Sequence, residues 1–169
     1  MSTTPSPHHV GDKEYKLSQH LKDKITDLAA QYPEKNSVII PALHLIQDEY
    51  GWVPPATMRQ LAQLLNIASN RIFGVASFYS MFNKQPVGKY HIQVCRNISC
   101  SLNGSKQILD HITKKLGIKP GEVTTDGNFS IATVECLGSC GTAPVIMIND
   151  VYYENLTVNK VDQILKSLE

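Results

Sequence analysis

Residues 89–100 read KYHIQVCRNISC, and the fold turns on them. The first seven alternate polar with apolar side chains, the period of a half-buried strand, and that strand runs straight into Cys95. Everything before this stretch keeps a helical period, and everything after it mixes short strands with helices. A boundary therefore falls just upstream, in NKQPVGK.

On the N-terminal side, Leu17, Leu21, Ile25, Leu28 and Tyr32 recur at three- and four-residue spacing until Pro33 stops them. Ser37 is expected to cap the next helix, VIIPALHLIQDEY, which YGWVPP breaks. Met58, Leu61, Leu64 and Leu65 mark a third helix ending near Asn66, and Asn70 is expected to cap a fourth, RIFGVASFYSMF. Short connections between apolar-striped helices predict a small bundle over 17–84. Residues 1–16 read as a disordered lead, with His8 and His9 solvated.

On the C-terminal side, SLNGSKQILDHITKKLG reads as one amphipathic helix closed by Gly117. FSIATVEC is a second strand, and it too delivers a cysteine. PVIMIND and VYYENL form a hairpin turning near Asn149 and Asp150, and Thr157 caps a last helix. The order strand, helix, strand, strand, strand, helix gives an α/β unit with a small sheet over 85–169. The whole chain is thus α+β.

The chain carries four cysteines, none in its first 94 residues. They form two pairs, CRNISC (Cys95, Cys100) and CLGSC (Cys136, Cys140), each where a strand gives way to a loop. No export signal, mitochondrial presequence or apolar run of membrane-spanning length is visible, which points to a reducing compartment where lasting disulfides are rare. A thiol–disulfide enzyme would use C-x-x-C, and neither pair has that spacing. A structural zinc ion accepts four thiolates with gaps of this size. A [2Fe-2S] cluster also takes four, two on each iron, and its greater size suits the wider gaps. Such a centre carries a charge of about −2, so backbone N–H groups must reach the sulfurs. Gly138, Ser139 and Gly141 are small enough to permit that approach, although turn formation explains the glycines equally well. Arg96 reads as a solvated surface side chain rather than a counter-charge.

A formal net charge of +1, with cations spread along the chain, argues against a nucleic-acid surface. There is no G-x-G-x-x-G, no P-loop and no nucleophile elbow, and the six histidines form no pair at metal-ligand spacing. These features describe an electron carrier that relies on a flavin-bearing partner to split a hydride's two electrons. The competing reading is a zinc-stabilised interaction module.

Taken together, IPALHLIQDEYGWVP, GVASFYSMF, CRNISC and CLGSCGTAP resemble the thioredoxin-like [2Fe-2S] subunit of NADH:quinone oxidoreductase, respiratory complex I. Related subunits serve NAD-linked hydrogenases and formate dehydrogenases. The resemblance runs from about Leu17 to the C-terminus. It implies a helical region followed by a thioredoxin-like domain whose cluster ligands are Cys95, Cys100, Cys136 and Cys140. It further implies NADH and FMN on a partner subunit, contacts with other peripheral-arm subunits, and a bacterial cytoplasmic location. Attachment to the plasma membrane would come through the complex, without direct insertion. Which NAD-linked complex the chain serves is left open.

Overall fold

The computed structural model describes residues 14–168 and divides into two compact units, with the boundary between Gln85 and Pro86. The readings of His8, His9 and the lead as far as residue 13 lie outside the described residues.

The first unit contains α1 (Gln19–Ala29), α2 (Ile39–Tyr50), α3 (Pro55–Leu65) and α4 (Ser69–Phe78). Ser18 caps α1, its Oγ accepting from the Leu21 N–H at 3.1 Å. Ser37 does not cap α2 as expected. It lies inside a single 3-10 turn, Lys35–Val38, that leads directly into the helix and leaves no non-helical cap position. Asn70 is likewise inside α4, which starts one residue earlier at Ser69 without a side-chain cap. Gly51 and Asn66 close α2 and α3 in the left-handed conformation, at φ 76° and 53°. Helix α4 ends at Phe78, short of the expected Phe82, because Tyr79 is extended; Phe82 nevertheless turns back and is buried.

Ile25, Leu43, Ile46, Leu61, Ile72 and Phe82 anchor the bundle's core. Each such side chain contributes roughly 1.5–3 kcal/mol on burial. The segment before α1 is tied to the bundle. The Tyr15 ring meets Tyr50 and Trp52 edge-on, and the Gln60 side chain both donates to the Tyr15 carbonyl and accepts from the Leu17 N–H.

The second unit contains β1 (Tyr90–Cys95), α5 (Ile98–Leu102), α6 (Ser105–Leu116), β2 (Phe129–Val134), β3 (Ile146–Ile148), β4 (Val151–Tyr153) and α7 (Val158–Ser167). The sheet order is β2-β1-β3-β4. Strand β1 runs parallel to β2 and antiparallel to β3, and β3 and β4 form the expected hairpin with Asn149 at φ 52°. The single helix expected over 101–117 is two helices. Gly104, at φ 92°, breaks the path between them and frees the short α5 to hold Cys100. Gly117 and Thr157 cap α6 and α7 as read.

Ile108 and Ile112 of α6 and Val161, Ile164 and Leu165 of α7 pack with Ile92, Val94 and Ile131 of the sheet. Across the two helices, Asp162 accepts from Lys115 and pairs with His111 at 2.9 Å. The loop between α6 and β2 lies along the outer edge of β2, where Gly121 N–H donates to Ile131 O and Thr124 N–H to Phe129 O.

Candidate metal centre

The parallel register of β1 and β2 builds the site. Cys95, the last residue of β1, lies opposite Val134, the last residue of β2, so both strands release their loops at the same edge of the sheet. Cys136 follows two residues beyond β2 rather than at its tip. Cys100 sits within α5, and Cys140 opens a one-turn 3-10 helix, Cys140–Thr142.

Cys95 and Cys100 are buried and pack with Val145 in a small apolar cluster at this end, flanked by Val134, Leu137 and Ala143. Cys136 and Cys140 are exposed. Burial, followed by a hydrogen bond with the Cys95 thiol, pushes the Cys100 thiol up to about 11, and the charges of Cys95 and Cys140 push the same way. Cys95 and Cys140 each lie within electrostatic reach of Cys100. Buried beside a second thiol, Cys100 favours its protonated form unless a metal cation stabilises the thiolate. Cys136 is tied instead to its own loop: its sulfur accepts from the Gly138 N–H at 3.3 Å. Gly138 adopts φ 75° to aim that N–H, the amide-to-sulfur contact that an anionic iron–sulfur centre requires. Gly141 shows neither a left-handed φ nor a neighbour that would exclude a Cβ.

Several bonds lock the two cysteine segments together. The Ser99 hydroxyl donates to the Cys140 carbonyl at 2.9 Å, the Arg96 N–H to the Val134 carbonyl at 3.0 Å, and the Cys95 N–H to the Val145 carbonyl at 3.2 Å. Arg96 is the exposed surface side chain that its sequence context suggests, and it is also paired. Its guanidinium donates through Nε and Nη2 to Glu135, linking the residue after Cys95 to the residue before Cys136. Asn97 caps α5, and Ser101 Oγ donates to the Arg96 carbonyl, fixing the CRNISC loop. Sequence reasoning misses Glu135 and Glu154. Glu154 stands at the end of β4 and accepts from the hydroxyls of Ser139 and Thr142, which hold its carboxyl below the usual carboxylate range. Neither glutamate belongs to a motif, so only the folded arrangement discloses them.

Four cysteines on two facing loops, with a backbone amide already directed at one sulfur, are a donor set that fits a [2Fe-2S] cluster. Residues 25–169 match the family of thioredoxin-like [2Fe-2S] ferredoxins. An NADH-quinone oxidoreductase subunit of Rhizobium meliloti is 41% identical over 147 residues, covering 87% of this chain and 88% of the relative. NADH-quinone oxidoreductase subunit 2 of Thermus thermophilus is 44% identical over 150 residues, covering 87% and 83%. A subunit of the same oxidoreductase from Aquifex aeolicus is 41% identical over 152 residues, covering 90% and 95%. Among solved structures, an NAD+-reducing [NiFe]-hydrogenase in its H2-reduced state superposes with a TM-score of 0.67 at 22% identity. That likeness is one of fold, and it spans 77% of this chain but only 22% of the hydrogenase chain. Family match and curated relatives agree over most of the sequence: the chain belongs to the thioredoxin-like [2Fe-2S] ferredoxin family.

Proposed function

We propose that the chain is the [2Fe-2S] electron-transfer subunit of an NADH:quinone oxidoreductase, exchanging single electrons with the FMN of an NADH-binding partner subunit. The observation that carries this reading is the parallel pairing of β1 with β2, which delivers both cysteine pairs to one edge of the sheet. Relatives at 41–44% identity that are named as subunits of that oxidoreductase support the assignment of the complex.

Cys95, Cys100, Cys136 and Cys140 would hold the cluster. When bound, it supplies one-electron transfer without proton or group transfer. The chain's part is to bury the first thiol pair, to direct Gly138 N–H at the second, and to hold the two loops at a fixed separation. With no nucleotide cradle in the sequence, NADH and FMN belong to the partner. Among the described residues, no helix is long and apolar enough to cross a membrane, so attachment would be through neighbouring subunits. A zinc module is the weaker reading. Four thiolates in two pairs would satisfy one zinc ion as donors, but the family that the chain matches over residues 25–169 is one of [2Fe-2S] proteins.

Anaerobic purification followed by iron, acid-labile sulfide and EPR analysis tests the reading. About two irons and two sulfides per chain, with a spin-coupled signal after dithionite reduction, are expected. Cys136→Ala should abolish or destabilise that signal. A colourless protein holding one zinc, or a Cys136→Ala variant with an unchanged spectrum, would overturn it.

A further inference from the structure

Beyond β4 the chain turns back on the loop that carries Cys136 and Cys140, and the two segments are joined at several points. The Tyr152 hydroxyl donates to the Leu137 carbonyl at 3.0 Å. The Asn155 N–H donates to the Thr142 carbonyl at 2.7 Å, and the Leu156 N–H to the Pro144 carbonyl at 3.2 Å. Between them, the Glu154 carboxylate accepts from Ser139 Oγ and, at 2.7 Å, from Thr142 Oγ1. Those two hydroxyls stand on either side of Cys140. The carboxylate is therefore ionised and fixed beside the loop that carries a thiol of the proposed centre.

We propose that Glu154 is a positioning residue for the Cys136–Cys140 loop, and that its charge makes the bound cluster harder to reduce. This rests on the iron–sulfur reading given above. Two consequences follow from the contacts. Ser139 and Thr142 share this acceptor, and without it their side chains are held only by their contact with each other and by the bonds of Thr142 to the Ser139 carbonyl. Outer partners of this kind typically govern metal retention by about 10–100-fold. The second consequence is electrostatic. Accepting one electron from a reductant takes the centre from about −2 to −3, and net charge near the cluster is one of the determinants of its potential. A fixed carboxylate opposes that step. Lys160 lies close enough to offset part of this charge, its ammonium donating to the Glu154 backbone carbonyl at 2.6 Å.

Glu154→Gln and Glu154→Ala separate the two roles, because glutamine keeps an acceptor oxygen and loses only the charge. Both are made in the full-length, cluster-loaded protein, after iron and sulfide assays of the wild type. Glu154→Gln should keep full iron and sulfide content while its midpoint potential, read by EPR-monitored redox titration, shifts upward. Glu154→Ala should release iron to a chelator about tenfold faster than wild type. An unchanged potential in Glu154→Gln overturns the electrostatic role, and an unchanged release rate in Glu154→Ala overturns the positioning role. Should the alanine variant not fold, the potential of the glutamine variant still decides. A wild type that binds no iron–sulfur cluster overturns the underlying reading, and is recognised before any variant is compared.

Discussion

His91, on β1, shows how one side chain ties pH to stability. Ser130 Oγ accepts from the Gly88 N–H at 2.9 Å and faces the His91 Nδ1 at 2.8 Å. The contact is made either by the serine hydroxyl donating to Nδ1 or by Nδ1–H donating to the second lone pair of the serine oxygen. Burial holds the imidazole below its ordinary range. A histidine depressed on folding stabilises the fold above its unfolded value, about 6.5, where both states are neutral. As pH falls below that value, the unfolded chain takes up a proton that the folded chain resists, and stability is lost until the folded group also titrates. Thermal melts of wild type should therefore decline between about pH 6.5 and 5 more steeply than those of His91→Gln. Parallel curves for the two proteins would remove His91 as the cause. At this scale the delivery of both cysteine pairs to one edge of the sheet was legible, because each pair begins where a strand ends or just beyond it. Ser130, Glu135 and Glu154 were not, since their roles depend on partners from distant segments.

Turns and caps decide the elements, and one glycine decides how two strands begin. A Cβ on Gly88 would lie 2.5 Å from the Phe129 carbonyl carbon and 2.8 Å from the Ser130 nitrogen. Both are backbone atoms of β2, so neither can swing aside. Gly88→Ala must prise apart the start of the β1–β2 pair or shift the chain before it, at a cost of about 1–3 kcal/mol. Chemical denaturation followed by circular dichroism should show a lower midpoint with an unchanged slope. A wild-type midpoint would mean that the segment yields freely. Gly88 carries no mark in the sequence, because the atoms it must clear are brought to it by β2. The legible elements were those whose signal is contained in a single window: the strand into Cys95, Gly117 after α6, Thr157 before α7, and the Asn149 turn. Ser37 and Asn70 misled because a preferred capping residue stood close to a helix start that the chain reached without one. Gly104 went unread as a break because the apolar pattern continues on both sides of it.

For the molecule as a whole, the question is where a redox partner approaches. Helix α5 buries Cys100 yet leaves Ile98 and Leu102 74% and 82% exposed. Four residues apart, they share one helical face, beside the thiols where electrons would enter or leave. Ile98→Ser combined with Leu102→Ser should leave iron content and EPR spectrum unchanged. Binding to the proposed FMN-bearing subunit should weaken about tenfold or more, given roughly 1.5–3 kcal/mol for each apolar side chain buried. Equal affinity in a binding titration would take α5 out of the interface. Composition had already set the limits of this picture: near-neutral charge, and cysteines confined to the second unit.

The loop that runs along the outside of β2 has a bearing on solubility as well. With Gly121 and Thr124 already bonded to β2's carbonyls, that border of the sheet has little left to offer a strand from another molecule. The opposite border is β4, three residues long and bent back toward the cysteine loop. Exposed, unpaired strand edges are the usual templates for fibrous aggregation. A sheet masked on one side and cut short on the other gives a chain waiting for its metal or its partner little means of polymerising with its own kind.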